Sequence, residues 1–402
     1  MKITAVTSLY RPHIGGVETM VEELGHVFYE NDHSMDVVCK KWPDTLAESE
    51  DIDGISIRRM PVAGTEQELI ELATYFRDTG NIFENTDVVH LVGMRRPLPF
   101  FAAMIAQVHQ IPAVGSIVGS EIPNPGSPES EKIWHEGDLY MPDAYRALST
   151  VTAVSQATSS YAQEAMPWLE DKIEVLPVGI DTESYNQLPA VPVPGADRFI
   201  LALRRLEKSK GIDILISAYN DMLNAEGFDP GIKLVIAGDG PERKSLESLV
   251  VDLGIAPDQV LFLGSVTLSV GIGLLKSAVV TVVPSLSEGG GLVNTEANAV
   301  GCPLIASDVG GIREYTTEQA SRLVTPGDST ALTTALIEIL SDSDRRTSMI
   351  NAGYKFAAER DWKNYVHRYI DLYERALQIQ TEPFVCRTVL GKKLMQIIGN
   401  EV

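Results

Sequence analysis

A chain of 402 residues, 44% of them hydrophobic, has room for two domains of ordinary size and can bury its cores without disulfide or metal staples. With 33 Lys and Arg against 55 Asp and Glu, the formal net charge of −22 excludes nonspecific nucleic-acid binding, which needs basic surface. The three cysteines, Cys39, Cys302 and Cys386, fit neither a disulfide framework nor a CxxC metal site, so a reducing, cytoplasmic setting is expected.

The first residues, MKITAVTSLY, lack the apolar block of a signal peptide. No stretch approaches the roughly 20 apolar residues that cross a bilayer. Strands are expected at Lys2–Thr7 and at 34–39, 88–91, 113–117, 151–154 and 173–176. Between the first two, Val17, Met20, Val21, Leu24, Val27 and Phe28 recur at helical spacing over 17–29. Residues 97–107 and 156–165 are weaker helical segments. Strands joined by helix-length connections imply right-handed βαβ units and a parallel sheet. Residues 186–197, NQLPAVPVPGAD, hold three prolines and no period, and read as a linker. The alternation then restarts. Strands are expected at 199–203, 233–237, 260–263, 279–283 and 304–307, with helices at 212–225, 243–253, 270–277 and 292–300. Helices at 330–340, 344–359 and 362–379 close the chain. The expected architecture is α/β: two Rossmann-like, doubly wound domains, 1–190 and 191–361, facing a cleft at the C-terminal ends of their strands.

The most informative segment is PSLSEGGGLVNTEANA at 284–299. Gly289, Gly290 and Gly291 separate an apolar strand from a helix beginning near Leu292, and a helix N-terminus behind glycines suits an anion. Glu288 and Glu296 bracket that turn, and a carboxylate accepts from two vicinal hydroxyls. This pattern fits a ligand with a sugar on either side of a diphosphate; a glycine-rich turn with two solvated acids fits equally well. In ALRRLEKSKG at 202–211, Arg205 and Lys210 follow a strand and suit phosphate oxygens, or form a solvated basic loop. GDGP at 238–241 reads as a tight strand-to-helix turn, and Gly15 and Gly16 precede the first helix. GxxxxGK[ST] and HExxH do not occur, no GxGxxG follows the first strand, and the seven histidines show no metal-ligand spacing. No metal or cofactor is therefore expected.

Together these motifs resemble the retaining glycosyltransferases of family 4 (group 1), which have the GT-B architecture. GGVE at 15–18, TAVS at 152–155, LPVGID at 176–181, RRLEKSKGIDILISA from 204, GDGP, FLGSV at 262–266, Glu288 and Glu296 with seven residues between them, and DVGGIRE at 308–314 follow in family order. The resemblance implies a nucleotide-diphosphate-sugar donor whose diphosphate meets Arg205 and Lys210. Glu296 then holds the ribose and Glu288 the transferred sugar. Backbone of Gly290, Gly291, Leu292 and Val293 meets the sugar and phosphate, Gly15 and Gly16 close on the phosphate, and Leu263 and Gly264 lie near the base. It also implies that the helices from about 362 to 402 pack back on the first domain.

Four positions depart from the family pattern. Val118 stands where a His is usual, Gly290 replaces an aromatic residue and so enlarges or loosens the donor pocket, Val178 replaces an Asn, and Arg204 replaces a Gly. Val118 and Gly290 motivate a second reading, a catalytically weakened protein that binds nucleotide sugars or partners a true transferase. A nucleotide-sugar epimerase lacks an evident acid/base pair. The acceptor is an unknown hydroxyl compound, with 93–97 and 122–138 as loops that could meet it. In the tail, Arg387, Lys392 and Lys393 lie among Val389, Leu390, Leu394, Ile397 and Ile398. That pattern fits peripheral contact with an anionic membrane, or a final helix packed on the protein.

Overall fold

The computed structural model describes residues 1–13, 15–63, 65–94, 97–119, 121–125, 127–137, 141–225, 229, 231–379 and 386–398. The chain divides into two compact units. One is Met1–Asn124, Pro128–Pro177 and Tyr365–Val402; the other is Pro125–Ser127 and Val178–Asn364.

Among its described residues the first unit carries eight strands: β1 (Lys2–Thr7), β2 (Ser34–Lys40), β3 (Ser49–Ile52), β4 (Ile55–Met60), β5 (Val88–Val92), β6 (Ala113–Ile117), β7 (Thr150–Ala153) and β8 (Ile173–Val175). Their order is β3-β4-β2-β1-β5-β6-β7-β8. Every pairing is parallel except β3 with β4. Helices α1 (Gly16–Glu30), α2 (Glu66–Thr79), α3 (Leu98–Val108), α4 (Pro128–Gly137), α5 (Met141–Ala147) and α6 (Gln156–Ala165) connect them. Strands β5 and β6 are buried along their whole length, as a parallel sheet covered on both faces requires. Five of these elements, β3, β4, α2, α4 and α5, lie outside the expected set. The β3–β4 hairpin turns on Asp53 and Gly54 at φ 53° and 81°, a residue pair that tolerates such angles. Helix α2 starts with a capping box between Thr65 and Glu68.

The second unit contains α7 (Thr182–Gln187), β9 (Arg198–Leu203), α8 (Ile212–Leu223), β10 (Ile232–Ala237), α9 (Arg243–Asp252), β11 (Val260–Gly264), α10 (Leu268–Ser277), β12 (Val280–Val283), α11 (Leu292–Ala299), β13 (Leu304–Ser307), β14 (Ser321–Val324), α12 (Ser329–Ser341) and α13 (Ser343–Glu359). Its sheet runs β11-β10-β9-β12-β13-β14, all parallel. The strand order reverses between β9 and β12, so the C-terminal ends of these two strands form the switch point where such sheets bind ligands.

Residues 186–197 do not run free between the units. Val193 and Ala196 are buried in the second unit's core, and Val191 N–H donates to Gly273 O at 2.9 Å. The apolar residues between the prolines pack, and the division of the chain falls earlier, between Pro177 and Val178.

Helix α14 (Trp362–Gln378) begins in the second unit, where the Trp362 ring covers Gly179, and from Tyr365 onward belongs to the first. There Tyr373 Oη meets His90 Nδ1 at 2.8 Å, His90 Nε2 meets Ser116 Oγ at 2.7 Å, and Ser116 meets Thr152 at 2.7 Å. Burial pushes the His90 pKa down to about 3, so this chain of contacts is neutral. Helix α15 (Val389–Ile398) lies on the first unit with Leu394 fully buried and Leu390, Met395, Ile397 and Ile398 packed on the core. These apolar residues of α15 thus pack on the protein itself, while Val389 is exposed. Residues 384, 385 and 399–402 of the tail lie outside the described residues, as do 95 and 96 in one acceptor-loop candidate and 126 and 138 in the other. Among the described residues, no helix is long and apolar enough to cross a membrane.

Candidate functional site

The loop after β9 and the turn after β12 meet at the switch point. Gly211 adopts φ 65°, and a Cβ there would lie 2.0 Å from Pro284 O, so only glycine lets these backbones touch. Leu286 N–H donates to Ser209 O at 2.8 Å across the same contact. Lys210 is thereby delivered to Glu288, with Nζ 3.3 Å from Oε1 and 3.2 Å from Oε2. Glu288 is gripped from behind as well. Gly310 is at φ 55° with its Cβ position 1.9 Å from Glu288 O, and Gly311 N–H donates to that oxygen at 3.1 Å. The DVGG run thus acts as a backbone brace for Glu288.

Arg204 Nη2 and Ser285 Oγ complete the carboxylate's partners, the serine at 3.1 Å. Burial alone raises the Glu288 pKa, but Lys210 and Arg204 together outweigh it and hold the group at about 2. Arg205 is not in this cluster. Its side chain is 63% exposed and pairs with Glu207 at 2.7 Å. Arg204, absent from the expected site residues, is the arginine at the carboxylate. Strand β9 is buried on both faces, so no alternation marks which of the two adjacent arginines turns inward.

Helix α11 is preceded by Gly291, at φ 129° and with no side-chain cap, and opens with Leu292 and Val293. Its Glu296 is 5% exposed and makes no side-chain hydrogen bond among the described residues, and burial pushes its pKa up to about 7. Asn294 is fully buried, with neither amide atom hydrogen-bonded among the described residues. Two carboxyls eight positions apart are therefore poised oppositely, Glu288 ionised and Glu296 titrating near neutrality. Gly290 does not loosen the site: a Cβ there would sit 2.9 Å from the Tyr315 ring, which fills the space. Tyr315 Oη in turn accepts from Val178 N–H at 3.2 Å.

Leu263 and Gly264 end β11, where Gly238 N–H donates to Gly264 O at 2.7 Å; Leu263 is 40% exposed. Gly15 and Gly16 open α1 in the first unit, again without a side-chain cap. Near Val118, Glu121 Oε1 accepts from Val118 N–H at 2.7 Å and Oε2 from Gly119 N–H at 3.0 Å, so this loop is braced by a carboxylate.

Residues 14–184 match the family model described as Glycosyltransferase Family 4, and residues 186–356 the model described as Glycosyl transferases group 1. An uncharacterised glycosyltransferase of Methanocaldococcus jannaschii is 28% identical over 94% of this chain and 99% of its own length. A GDP-mannose-dependent α-(1-6)-phosphatidylinositol monomannoside mannosyltransferase of Mycobacterium tuberculosis is 27% identical over 92% of this chain and 97% of its own. Among solved structures, HepE of Anabaena in complex with UDP and glucose aligns with a TM-score of 0.74 at 20% identity, covering 93% of this chain and all of that one. Its two parallel-sheet units have the GT-B fold, and the chain belongs to the group 1 glycosyltransferases of family 4.

Proposed function

We propose that the protein transfers a hexose from a nucleoside-diphosphate sugar to an acceptor hydroxyl with retention of anomeric configuration. The observation that carries this reading is Glu288, held ionised at the switch point by Lys210 and Arg204, with the uncapped end of α11 and the buried Glu296 close in sequence. Glu288 takes hydroxyls of the transferred sugar and Glu296 the ribose diol. Lys210 and Arg205 take the diphosphate; the Arg205 side chain is largely exposed, its one ion pair among the described residues is to Glu207, and it can turn to a phosphate. Charge grows on the diphosphate as the glycosidic bond breaks, and fixed cations with helix N–H groups stabilise it. These cations serve the role a metal plays elsewhere, so the reaction is metal-independent. The departing phosphate takes the acceptor proton. No protein carboxylate has to act as a nucleophile.

HepE was solved with UDP and glucose, and the mycobacterial relative is named for GDP-mannose and a phosphatidylinositol mannoside. We infer a uridine or guanosine diphosphohexose donor, a polyol or glycolipid acceptor, and a cytoplasmic setting. Thermal shift against UDP-glucose, UDP-N-acetylglucosamine and GDP-mannose, followed by assay for released nucleoside diphosphate with EDTA present, tests this. A ligand bound at 100 times its Kd adds about 2.7 kcal/mol of stability. Stabilisation by one donor with slow release of its diphosphate is expected. Binding without turnover under any acceptor selects the non-catalytic reading instead.

A further inference from the structure

The two oxygens of Glu288 are not equivalent. Oε2 accepts from Arg204 Nη2, from Lys210 Nζ at 3.2 Å and from Ser285 Oγ at 3.1 Å. Oε1 has Lys210 Nζ alone among the described residues, at 3.3 Å. A carboxylate oxygen offers about two lone-pair sites, so Oε2 is saturated while Oε1 keeps accepting capacity.

Arg204 holds its place at a cost. Its side chain is 6% exposed, and Nε and Nη1 have no hydrogen-bond partner among the described residues. A buried donor left unpaired is destabilising, and a buried ion pair is weak support for stability. The arginine therefore does not stand here to stabilise the fold. Its backbone is rigid, because Arg204 N–H extends the sheet by donating to Ala237 O at 2.9 Å. Lys210 cannot replace it. An ammonium near both oxygens supplies charge without distinguishing them, whereas Arg204 Nη2 and Ser285 Oγ both bind Oε2 and so set the two oxygens apart.

We propose that Arg204 is a positioning residue for Glu288, tying Oε2 down so that Oε1 is presented to a hydroxyl of the transferred sugar. The inference rests on the donor-site reading above. Because Arg204 acts through the carboxylate that meets the sugar, its loss falls on sugar transfer and spares binding of the nucleoside diphosphate. It also removes one of the two cations that hold Glu288 ionised, so the acid side of the rate profile moves to higher pH.

The test uses Arg204→Gln, Arg204→Lys, Glu288→Gln and the double variant Arg204→Gln/Glu288→Gln. Turnover is measured with UDP-glucose or GDP-mannose, whichever the unmodified protein accepts, and UDP or GDP binding by calorimetry. Arg204→Gln is expected to lower kcat/KM about 10–100-fold while changing nucleotide Kd less than about threefold. Arg204→Lys recovers part of the loss, and in the Glu288→Gln background Arg204→Gln costs nothing further. Should the glutamine variant not fold, Arg204→Lys carries the test through the same split and a smaller pH displacement. Additive losses in the cycle, an unmoved acid limb, or a fall in nucleotide affinity as large as the fall in kcat/KM overturns the proposal while leaving the donor site standing. An unmodified protein that binds neither nucleotide overturns both.

Discussion

Glu296 couples the site to pH in the direction opposite to Glu288. Its carboxyl is buried with no counter-charge among the described residues, so the folded pKa of about 7 lies above the ordinary 4.5. The favourable state is the protonated one: this group's contribution to stability is complete below pH 4.5 and is lost as pH rises through about 7. Glu288, held at about 2, instead loses its contribution only as pH falls from 4.5 toward 2. The stability of Glu296→Gln relative to the unmodified protein should therefore grow by up to about 3 kcal/mol between pH 4.5 and pH 8.5. Urea unfolding at the two pH values measures it, and a constant difference refutes the assignment. The proposed hold of Glu296 on the ribose uses the carboxylate, whose population rises about tenfold from pH 6 to pH 8, so on that proposal nucleotide affinity should rise by about the same factor. In Glu296→Gln that rise should vanish. The sequence marked Glu288, Glu296 and Lys210 as candidates, because two glutamates flanking a glycine turn suit a ligand with sugars around a diphosphate, though they suit a solvated turn as well. Their energetics were not legible, since a one-dimensional pattern does not show that Arg204 points inward while Arg205 faces solvent, or that Tyr315 reaches back to fill the space beside Gly290.

Among elements, most parallel strands declared themselves, because a strand buried on both faces must be a short apolar run bounded by polar turns; β4 and β14, both parallel, did not, since charged or polar residues interrupt their short runs. Helix α2 did not. Of its 14 residues only Leu69, Leu72, Ala73 and Phe76 are buried, and its strongest signal was the Thr65–Glu68 cap rather than its apolar face. The β3–β4 hairpin carried a readable Asp-Gly turn, but β3 itself, Ser49–Ile52, is polar and exposed at the sheet edge. The tail shows how composition leaves an element's partner open. Basic and apolar residues in α15 match a membrane-surface pattern, yet the helix is fastened from within. Asp143, fully buried on α5, accepts from Thr388 N–H at 3.1 Å, Thr388 Oγ1 at 2.9 Å and Arg387 N–H at 3.2 Å, and Thr388 Oγ1 caps Gly391 N–H at 3.1 Å. Asp143→Asn keeps the shape and removes the charge that all these donors address. It should cost about 2 kcal/mol and speed amide exchange across residues 389–398. Exchange that is faster elsewhere but unchanged there argues against this anchor. Sedimentation with phosphatidylglycerol vesicles should be the same for the unmodified protein and for a variant with Arg387, Lys392 and Lys393 all changed to Gln.

At the scale of the whole molecule, a net charge of −22 opposes the ligand that the local site attracts. A nucleotide sugar carries its charge on a diphosphate, so the protein's long-range field repels it, while Lys210 and its neighbours act only at contact range. The two forces respond differently to salt. Screening shortens the reach of the field from about 20 Å at 20 mM to about 8 Å at 150 mM, and partly buried contacts are screened much less. Association of UDP or GDP should thus accelerate as NaCl rises from 20 to 150 mM, with dissociation changing little. A basic binding surface gives the opposite trend. Self-repulsion among the acids also eases with salt, so the unfolding temperature should rise over the same range. Stopped-flow association with a fluorescent guanosine or uridine diphosphate separates the two rate constants. An on-rate that falls with salt would mean that local cations, and not the net charge, govern how the donor arrives.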